Sequence, residues 1–208
     1  MLDNNMKRFK KQAVIGFVFL IFLIGGWFYP VIGFMIPACM LFGIGVAFSK
    51  GRKWCDWYCP RGCFYDSMVK FTSPQRKIPD FFKQMPLRIA ILSFLITIMT
   101  LQIIRHWPDP FEIGKVFMVI LTTTTIIGII LGLIIHHRNW CYICPVGTVS
   151  NLLGKNKYPL KFNSENCINC KLCAKACPVQ IEPNLNLSDD CLKCGTCVDV
   201  CPKNALKF

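Results

Sequence analysis

One spacing of cysteines, C-x2-C-x2-C-x3-C-P, occurs twice near the C-terminus of the chain: as CINCKLCAKACP at residues 167–178 and as CLKCGTCVDVCP at residues 191–202. Thiolates are soft, negatively charged ligands that suit iron–sulfur clusters. In this arrangement three cysteines of a motif bind one cluster, and the fourth binds the other cluster. The spacing therefore predicts two [4Fe–4S] clusters.

The crossed pattern assigns the eight cysteines to two ligand sets. The first set is Cys167, Cys170, Cys173 and Cys201, and the second set is Cys191, Cys194, Cys197 and Cys177. A pair of zinc sites is the competing interpretation, because C-x2-C pairs alone also bind zinc. The two Cys-Pro endings favour the clusters.

The chain divides into two predicted domains, residues 1–157 and residues 158–208. The second is too small to fold around a hydrophobic core alone, so bound clusters would hold it together. We expect an α+β fold of the two-cluster, ferredoxin-like type there.

The composition places the first domain in a membrane. Hydrophobic residues make up 53% of the chain and charged residues only 17%, whereas soluble domains are about 25% charged. Four apolar stretches, at residues 13–29, 31–48, 87–104 and 116–135, are long enough to cross the hydrocarbon core. We predict an α-helical membrane domain with four transmembrane helices in two hairpin repeats.

The distribution of basic residues predicts the orientation. Lysine and arginine are concentrated in the N-terminal tail and in the connection 50–83, whereas the connection 106–115 carries only Lys115 against Asp109 and Glu112. By the positive-inside rule, both termini and the clusters lie in the cytoplasm, on a multi-pass protein of the cytoplasmic (inner) membrane. The 14 cysteines, grouped in tight runs, also suit a reducing compartment.

The prolines and phenylalanines between residues 74 and 86 predict an interfacial segment without a fold of its own.

The net charge of +13 is explained by these loops. Since no basic stripe is interleaved with base-stacking aromatic residues, we expect no nucleic-acid partner.

A second repeat lies behind the apolar stretches. RKWCDWYCPRG at residues 52–62 and RNWCYICPVG at residues 138–147 share the pattern R-x-W-C, a short gap, then C-P-x-G. Repeated hairpins that pack about a pseudo-two-fold axis would bring their motifs together. We therefore predict that Cys55, Cys59, Cys141 and Cys144 form one redox unit. It is a third iron–sulfur cluster or, alternatively, a pair of redox dithiols with Cys63 as a resolving thiol.

With these motifs the chain resembles the NapH-type membrane ferredoxins over nearly its whole length. The resemblance implies an oxidoreductase subunit that passes electrons between membrane quinones, or a membrane redox partner, and clusters on the cytoplasmic side. It implies redox partner subunits and a quinone as further ligand. The chain departs from the family in its second dithiol, which is C-x2-C where C-x3-C is typical, and in the additional Cys63.

Two further expectations concern function. Quinol oxidation releases protons, so a titratable group should lie near a quinone site; His136 and His137 at the inner edge are the candidates, with His106 and Asp109 at the outer edge as the rival pair. The alternative function is an assembly or metal-handling factor that uses its dithiols and clusters to reduce or deliver a metal. The scarcity of histidine and the scattered methionines disfavour that alternative.

Overall fold

The structure is a computed structural model that describes residues 2–155, 157–182 and 189–208, with side chains from Met6 onward. Along these residues the N-terminal part folds into α1 (Leu2–Phe28), a 3-10 turn (Pro30–Phe34), α2 (Met35–Lys50), α3 (Lys53–Trp57), α4 (Pro60–Phe64), a π-helical turn (Tyr65–Val69), α5 (Lys70–Thr72) and a second 3-10 turn (Asp80–Lys83). There follow α6 (Met85–Arg105), α7 (Pro110–Ile134), α8 (Trp140–Ile143), α9 (Pro145–Leu153), β1 (Lys161–Phe162), α10 (Leu172–Lys175), α11 (Thr196–Asp199) and β2 (Leu206–Lys207).

Four of the helical segments are long and apolar enough to cross a membrane, as predicted: Met6–Phe28, Pro30–Lys50, Met85–Arg105 and Pro110–Ile134. Only 6% to 33% of the residues in their most apolar windows are buried inside the protein. Their apolar side chains therefore face outward, where a soluble protein would expose a large hydrophobic surface.

Proline sets the start of several helices. Pro110 follows the N-cap Asp109, whose side chain accepts a hydrogen bond of 2.9 Å from the Phe111 amide. Pro60 and Pro145 begin α4 and α9 in the same way, because proline has no amide hydrogen to leave unpaired in a first helical turn. Each therefore holds the cysteine before it, Cys59 or Cys144, at the end of an extended segment.

The two helices that begin at these prolines are packed between long helices. Helix α4 contacts α1, and the π-helical turn that continues it contacts α7. Helix α9 contacts α6 and α2. The N-terminal Cys-Pro helix, α4, therefore lies between α1 and, through the π-helical turn, α7. The C-terminal one, α9, lies between α6 and α2. Each thus contacts one long helix of the N-terminal pair (α1, α2) and one of the C-terminal pair (α6, α7).

The first part of the connection after α2 is helical and packs into the protein, whereas residues 74–84 hold only the 3-10 turn (Asp80–Lys83) and are mostly exposed. The side chains of Phe64, Tyr65 and Val69 form a buried cluster with Phe19 and with residues of α8. Ile78 is buried in a second cluster. The interfacial position of the segment between residues 74 and 86 stays a prediction.

The C-terminal residues form a small α+β unit. Strand β1 pairs antiparallel with β2, with Phe162 opposite Leu206. Leu160, Cys197 and Leu206 are its buried core. A separate buried cluster joins this unit to the rest of the chain, since Val179 and Leu192 pack with Cys55, Ile78 and Tyr142.

Candidate iron–sulfur sites

The first ligand set surrounds a single cavity. Cys167, Cys170, Cys173 and Cys201 all line it, and it encloses about 400 Å³ of empty space that includes a part open to solvent. Three of these cysteines come from the first motif and the fourth from the second motif. Four thiols around one cavity are a donor set that fits a [4Fe–4S] cluster.

The second ligand set is more deeply placed. Burial raises the pKa of the Cys197 thiol to about 12, and the nearby Cys194, Cys191, Cys177 and Cys173 raise it further through charge repulsion. Burial also raises the pKa of Cys177, and Cys191 contributes in the same sense. The thiols of the second ligand set therefore lie near one another, and the set adjoins the first one through Cys173, which packs against the buried cluster of Cys197.

The two Cys-Pro cysteines of this unit have matching surroundings. The Ile181 amide lies 3.4 Å from Cys177 Sγ, and the Ala205 amide lies 3.3 Å from Cys201 Sγ. The residue before each amide, Gln180 or Asn204, has a left-handed backbone that turns the amide towards the sulfur. Hydrogen bonds to the sulfurs are one of the means by which a protein sets the potential of a cluster.

Within the described residues no three His, Cys, Asp or Glu side chains converge on a point that would hold one metal ion. A [4Fe–4S] cluster does not require such a point, because each of its irons binds one cysteine.

The two R-x-W-C motifs exchange their arginines. Arg52 Nη2 donates a hydrogen bond of 2.7 Å to the carbonyl oxygen of Cys141, and Arg138 Nη1 donates one of 3.0 Å to that of Cys55. Each arginine therefore fixes the cysteine of the other motif. Both guanidinium groups belong to fully buried side chains, 2% and 0% exposed.

The glycine that ends each motif lies beside the hydrogen bond between an arginine and a cysteine carbonyl oxygen. A Cβ atom on Gly62 would lie 2.6 Å from the Cys55 carbonyl oxygen, and one on Gly147 would lie 2.7 Å from that of Cys141. The same atoms would be 3.1 Å from the guanidinium of the arginine of the other motif. Glycine is required at both positions because the backbone has no room for a side chain.

The exchange brings the two dithiols into electrostatic range of each other. Burial raises the pKa of Cys55 to about 11; Arg52 opposes the rise, and Cys144 and Cys141 add to it. Burial likewise raises the pKa of Cys59 well above its usual value, with contributions from Cys55 and Cys144. Neutral thiols are favoured as long as these sulfurs have no metal to bind.

Arg61 is a site residue that the sequence analysis missed. Its Nη2 lies 3.2 Å from Cys144 Sγ, and its Nη1 donates a hydrogen bond of 2.9 Å to Thr124 Oγ1 in α7. The guanidinium also lies 5.2 Å from the centre of the Trp140 ring. The second motif has Val146 in the equivalent position, so this additional positive charge has no counterpart there.

A buried ionic network surrounds the second arginine. Arg138 Nε lies 2.7 Å from Asp66 Oδ1, and its Nη2 contacts both Asp66 and Asp56. Gln12 donates a hydrogen bond of 2.8 Å to Asp66. Although burial alone would raise the pKa of Asp66, Arg138 and a hydrogen bond from His137 hold it well below its usual range. Cys63 lies beside this network, with Sγ 3.8 Å from the Asp56 carbonyl oxygen.

Arg52 has a different carboxylate, which belongs to the C-terminal unit. Its Nη1 lies 2.8 Å from Asp190 Oδ1. Arg88, at the start of α6, binds the same carboxylate through two hydrogen bonds of 2.6 and 2.8 Å, and Asn151 adds one of 2.7 Å. Since Asp190 directly precedes Cys191, this cluster of charges fixes the loop of the second ligand set against the first domain.

The two candidate quinone-edge histidines lie together in the interior. His136 and His137 are 3% and 2% exposed, and their rings stack with centroids 4.4 Å apart. His137 Nε2 lies 3.3 Å from Asp66 Oδ1. Burial lowers the pKa of His136 to about 3, and it also lowers that of His137, which Asp66 opposes. Both rings are therefore neutral near pH 7.

Two family models match the chain, and both are described as a 4Fe-4S binding domain. One matches residues 32–79 and again residues 116–163, and the other matches residues 160–181 and 188–207. The first thus covers each R-x-W-C motif together with the apolar helix before it. The second covers the two C-terminal motifs. The chain accordingly carries 4Fe–4S binding domains of two kinds.

Three relatives are similar to the chain, two of them uncharacterized proteins of Methanocaldococcus jannaschii. The first is 24% identical over 197 residues, which are 87% of this chain and 78% of that protein. The second is 27% identical over 146 residues, which are 64% of this chain and 60% of that protein. An Escherichia coli protein named "Putative electron transport protein YccM" is 29% identical over 152 residues, 62% of this chain and 42% of that protein.

No solved structure matches the chain. The family matches, the relative in electron transport and the grouped cysteines together support electron transfer as the general activity of this iron–sulfur protein.

Proposed function

We propose that this chain is a membrane-embedded electron-transfer protein of the NapH type, which passes electrons between membrane quinones, or a membrane redox partner, and iron–sulfur clusters on the cytoplasmic side. In this proposal it works as the redox subunit of a quinol-dehydrogenase-like assembly. Two clusters are bound by the ligand sets of the C-terminal unit, residues 158–208. A third is bound by Cys55, Cys59, Cys141 and Cys144.

The observation that carries this proposal is the buried contact between the two domains. Cys55 of the first dithiol belongs to the buried apolar cluster that contains Tyr142, and Cys177 of the second ligand set packs against the same cluster. Tyr142 also donates a hydrogen bond to the Val179 carbonyl oxygen. A cysteine of each proposed centre therefore belongs to or borders the same buried cluster, an arrangement that suits an electron path between the centres.

The third cluster is supported by the matched geometry of the two motifs. The same family model covers each motif separately, and each motif alone offers only two of the thiols. The exchanged arginines hold the cysteine backbones, and the glycines keep the space around them narrow. When bound, a cluster would supply one-electron chemistry and would relieve the repulsion among the thiolates. A reversible pair of dithiols remains the rival proposal for these four cysteines.

The membrane part is proposed from three features. The four long helices expose apolar side chains along their length, and the basic residues flank one end of each pair. The crossed packing of α4 and α9 supports two hairpin repeats related by a pseudo-two-fold axis. We propose that the termini and the clusters lie on the cytoplasmic side of the inner membrane.

For the quinone we propose the inner edge, near His136 and His137, with His106 and Asp109 at the outer edge as the rival. Because His136 is a weak base in its buried position, His137 with its Asp66 partner is the better proton acceptor of the two. The proposal predicts that replacing both histidines with alanine abolishes reduction of the clusters by a quinol while dithionite still reduces them. If a quinol still reduced the clusters of the double variant, the proposed quinone site at the inner edge would be wrong.

The decisive experiment counts iron in the full chain, purified anaerobically in detergent. Three clusters require about twelve irons and twelve acid-labile sulfides per chain, whereas two require about eight. Replacing Cys55 and Cys141 with serine should lower the count by about four and leave the spectra of the other two clusters in place. Replacing Cys39, which lies in α2 outside every motif, is the matched control. A count of about eight irons in the native chain would contradict the third cluster. The membrane-proximal cysteines would then be assigned as redox dithiols.

A further inference from the structure

We propose that the cavity of the first ligand set opens on a docking surface for an acidic, soluble one-electron carrier protein. This outer rim consists of Ile168, Lys171, Leu172 and Lys203, all of which line the cavity together with the four cysteines. The proposal rests on the proposed electron-transfer function and adds the point at which the chain exchanges electrons with a soluble partner.

The rest of the C-terminal unit is turned towards the first domain. Gln180 bonds to the Ile78 amide at 2.7 Å and to the Arg76 carbonyl oxygen at 2.9 Å. Asp190 binds Arg52, and Thr196 accepts a hydrogen bond from Arg8. These contacts all arise between Cys177 and Cys197, the two ends of the second ligand set along the chain. That set therefore faces the membrane-proximal cysteines, and the first set lies at the outer end.

The outer end has the surface expected of a transient redox interface. Cys170 is exposed, and beside it the apolar side chains of Ile168 and Leu172 are 58% and 44% exposed. Electron-transfer complexes are small and short-lived, so a narrow apolar centre is enough for them. A carrier seated there would reach the first ligand set without any movement of the chain.

Charge identifies the kind of partner. Residues 159–176 and 199–208, which hold the first ligand set, carry five lysines against two acidic residues. The lysines are Lys161, Lys171, Lys175, Lys203 and Lys207, and the acids are Glu165 and Asp199. The lysines at the rim offset the negative charge of the thiolates behind them and leave the outer surface basic. An acidic carrier would be steered to it, whereas a basic carrier would be repelled.

The exchange itself is a single-electron transfer. One electron leaves the carrier and one is gained by this chain, or the reverse, and no bond is formed and no proton is moved. The carrier supplies or accepts the electron through its own flavin or iron–sulfur group.

The test uses the full chain in detergent and follows its reduction by a reduced plant-type ferredoxin, an acidic carrier, in stopped flow. The variant Lys171→Glu with Lys203→Glu should slow this reaction by about tenfold or more at low salt. It should also lose most of the salt dependence of the native chain. The charge-neutral pair Lys171→Gln with Lys203→Gln should give an intermediate rate.

The matched control is Lys77→Glu with Lys155→Glu, which reverses two exposed lysines away from the rim. Reduction by a small uncharged photoreductant should be equal in all variants, because it needs no docking. An unchanged ferredoxin rate in the rim variant, or an equal loss in the control, would overturn the docking surface alone. Failure of the native chain to accept electrons even from the photoreductant would overturn the proposed function and the docking surface with it.

Discussion

The two R-x-W-C motifs share their arginine, tryptophan, two cysteines, proline and glycine and make matching backbone contacts, yet their arginines are paired with different parts of the protein. Arg138 is enclosed by Asp56 and Asp66 within the first domain, whereas Arg52 reaches Asp190 in the C-terminal unit. The motif thus specifies how each arginine fixes the cysteine of the other motif. The carboxylates around it decide whether the same arginine stabilises one domain or joins two.

This difference predicts unequal losses of stability, and it is the largest effect we expect. Arg138→Leu leaves Asp56 and Asp66 buried without their principal cation, which should cost about 3–5 kcal/mol. Arg52→Leu should cost less, about 1–3 kcal/mol, because Arg88 still binds Asp190 and that carboxylate is 15% exposed. Thermal unfolding followed by circular dichroism in detergent would measure both.

The lysine variants sharpen the same comparison. Arg138→Lys keeps the charge and loses the second hydrogen-bonding arm, so it should recover part of the stability. Equal losses for Arg52→Leu and Arg138→Leu would contradict the assignment of the two arginines to different roles.

The glycines test what the motifs have in common. Gly62→Ala and Gly147→Ala each place a Cβ atom within 2.7 Å of a backbone carbonyl, so both should lose about 1–3 kcal/mol through overpacking. Gly45→Ala in α2 is the control, because its Cβ would meet nothing within 4 Å. If only one of the two motif variants were destabilised in the same unfolding assay, the motifs would not be structural equivalents.

Features that depend on neighbouring residues could be predicted from the sequence. The four membrane-length helices follow from the length and hydropathy of single segments, and the cysteine motifs follow from spacing within one loop. The partners of the arginines could not be predicted, since Arg138 lies 72 residues from Asp66 and Arg52 lies 138 residues from Asp190. Arg61 was missed for the same reason. Although Cys59 and Cys63 are each two residues away, Arg61 contacts Cys144 and Thr124, which lie 83 and 63 residues away in the sequence.

The smallest effect on stability is expected where the two motifs differ in sequence, at Arg61 and Val146. Arg61 is the one of the two that brings a positive charge and an N–H donor to Cys144 Sγ. Reduction adds negative charge to a cluster, and both features favour the more negative state. Arg61→Met should therefore lower the midpoint potential of the proposed third cluster while the potentials of the other two stay the same.

A potentiometric titration followed by electron paramagnetic resonance would measure this shift. Arg61→Lys keeps the charge near the sulfur, so it should restore part of the potential, which a purely structural role would not require. Thr124→Val removes the hydrogen bond that Arg61 makes to α7, together with the bonds from the hydroxyl to the carbonyls of Ile120 and Leu121 in the same helix. It should have a smaller effect than Arg61→Met, because the charge and the bond to Cys144 are retained. A potential that is the same in Arg61→Met as in the native chain would mean that the asymmetry between the motifs has no electronic consequence. Arg61 would then serve only to pack α4 against α7.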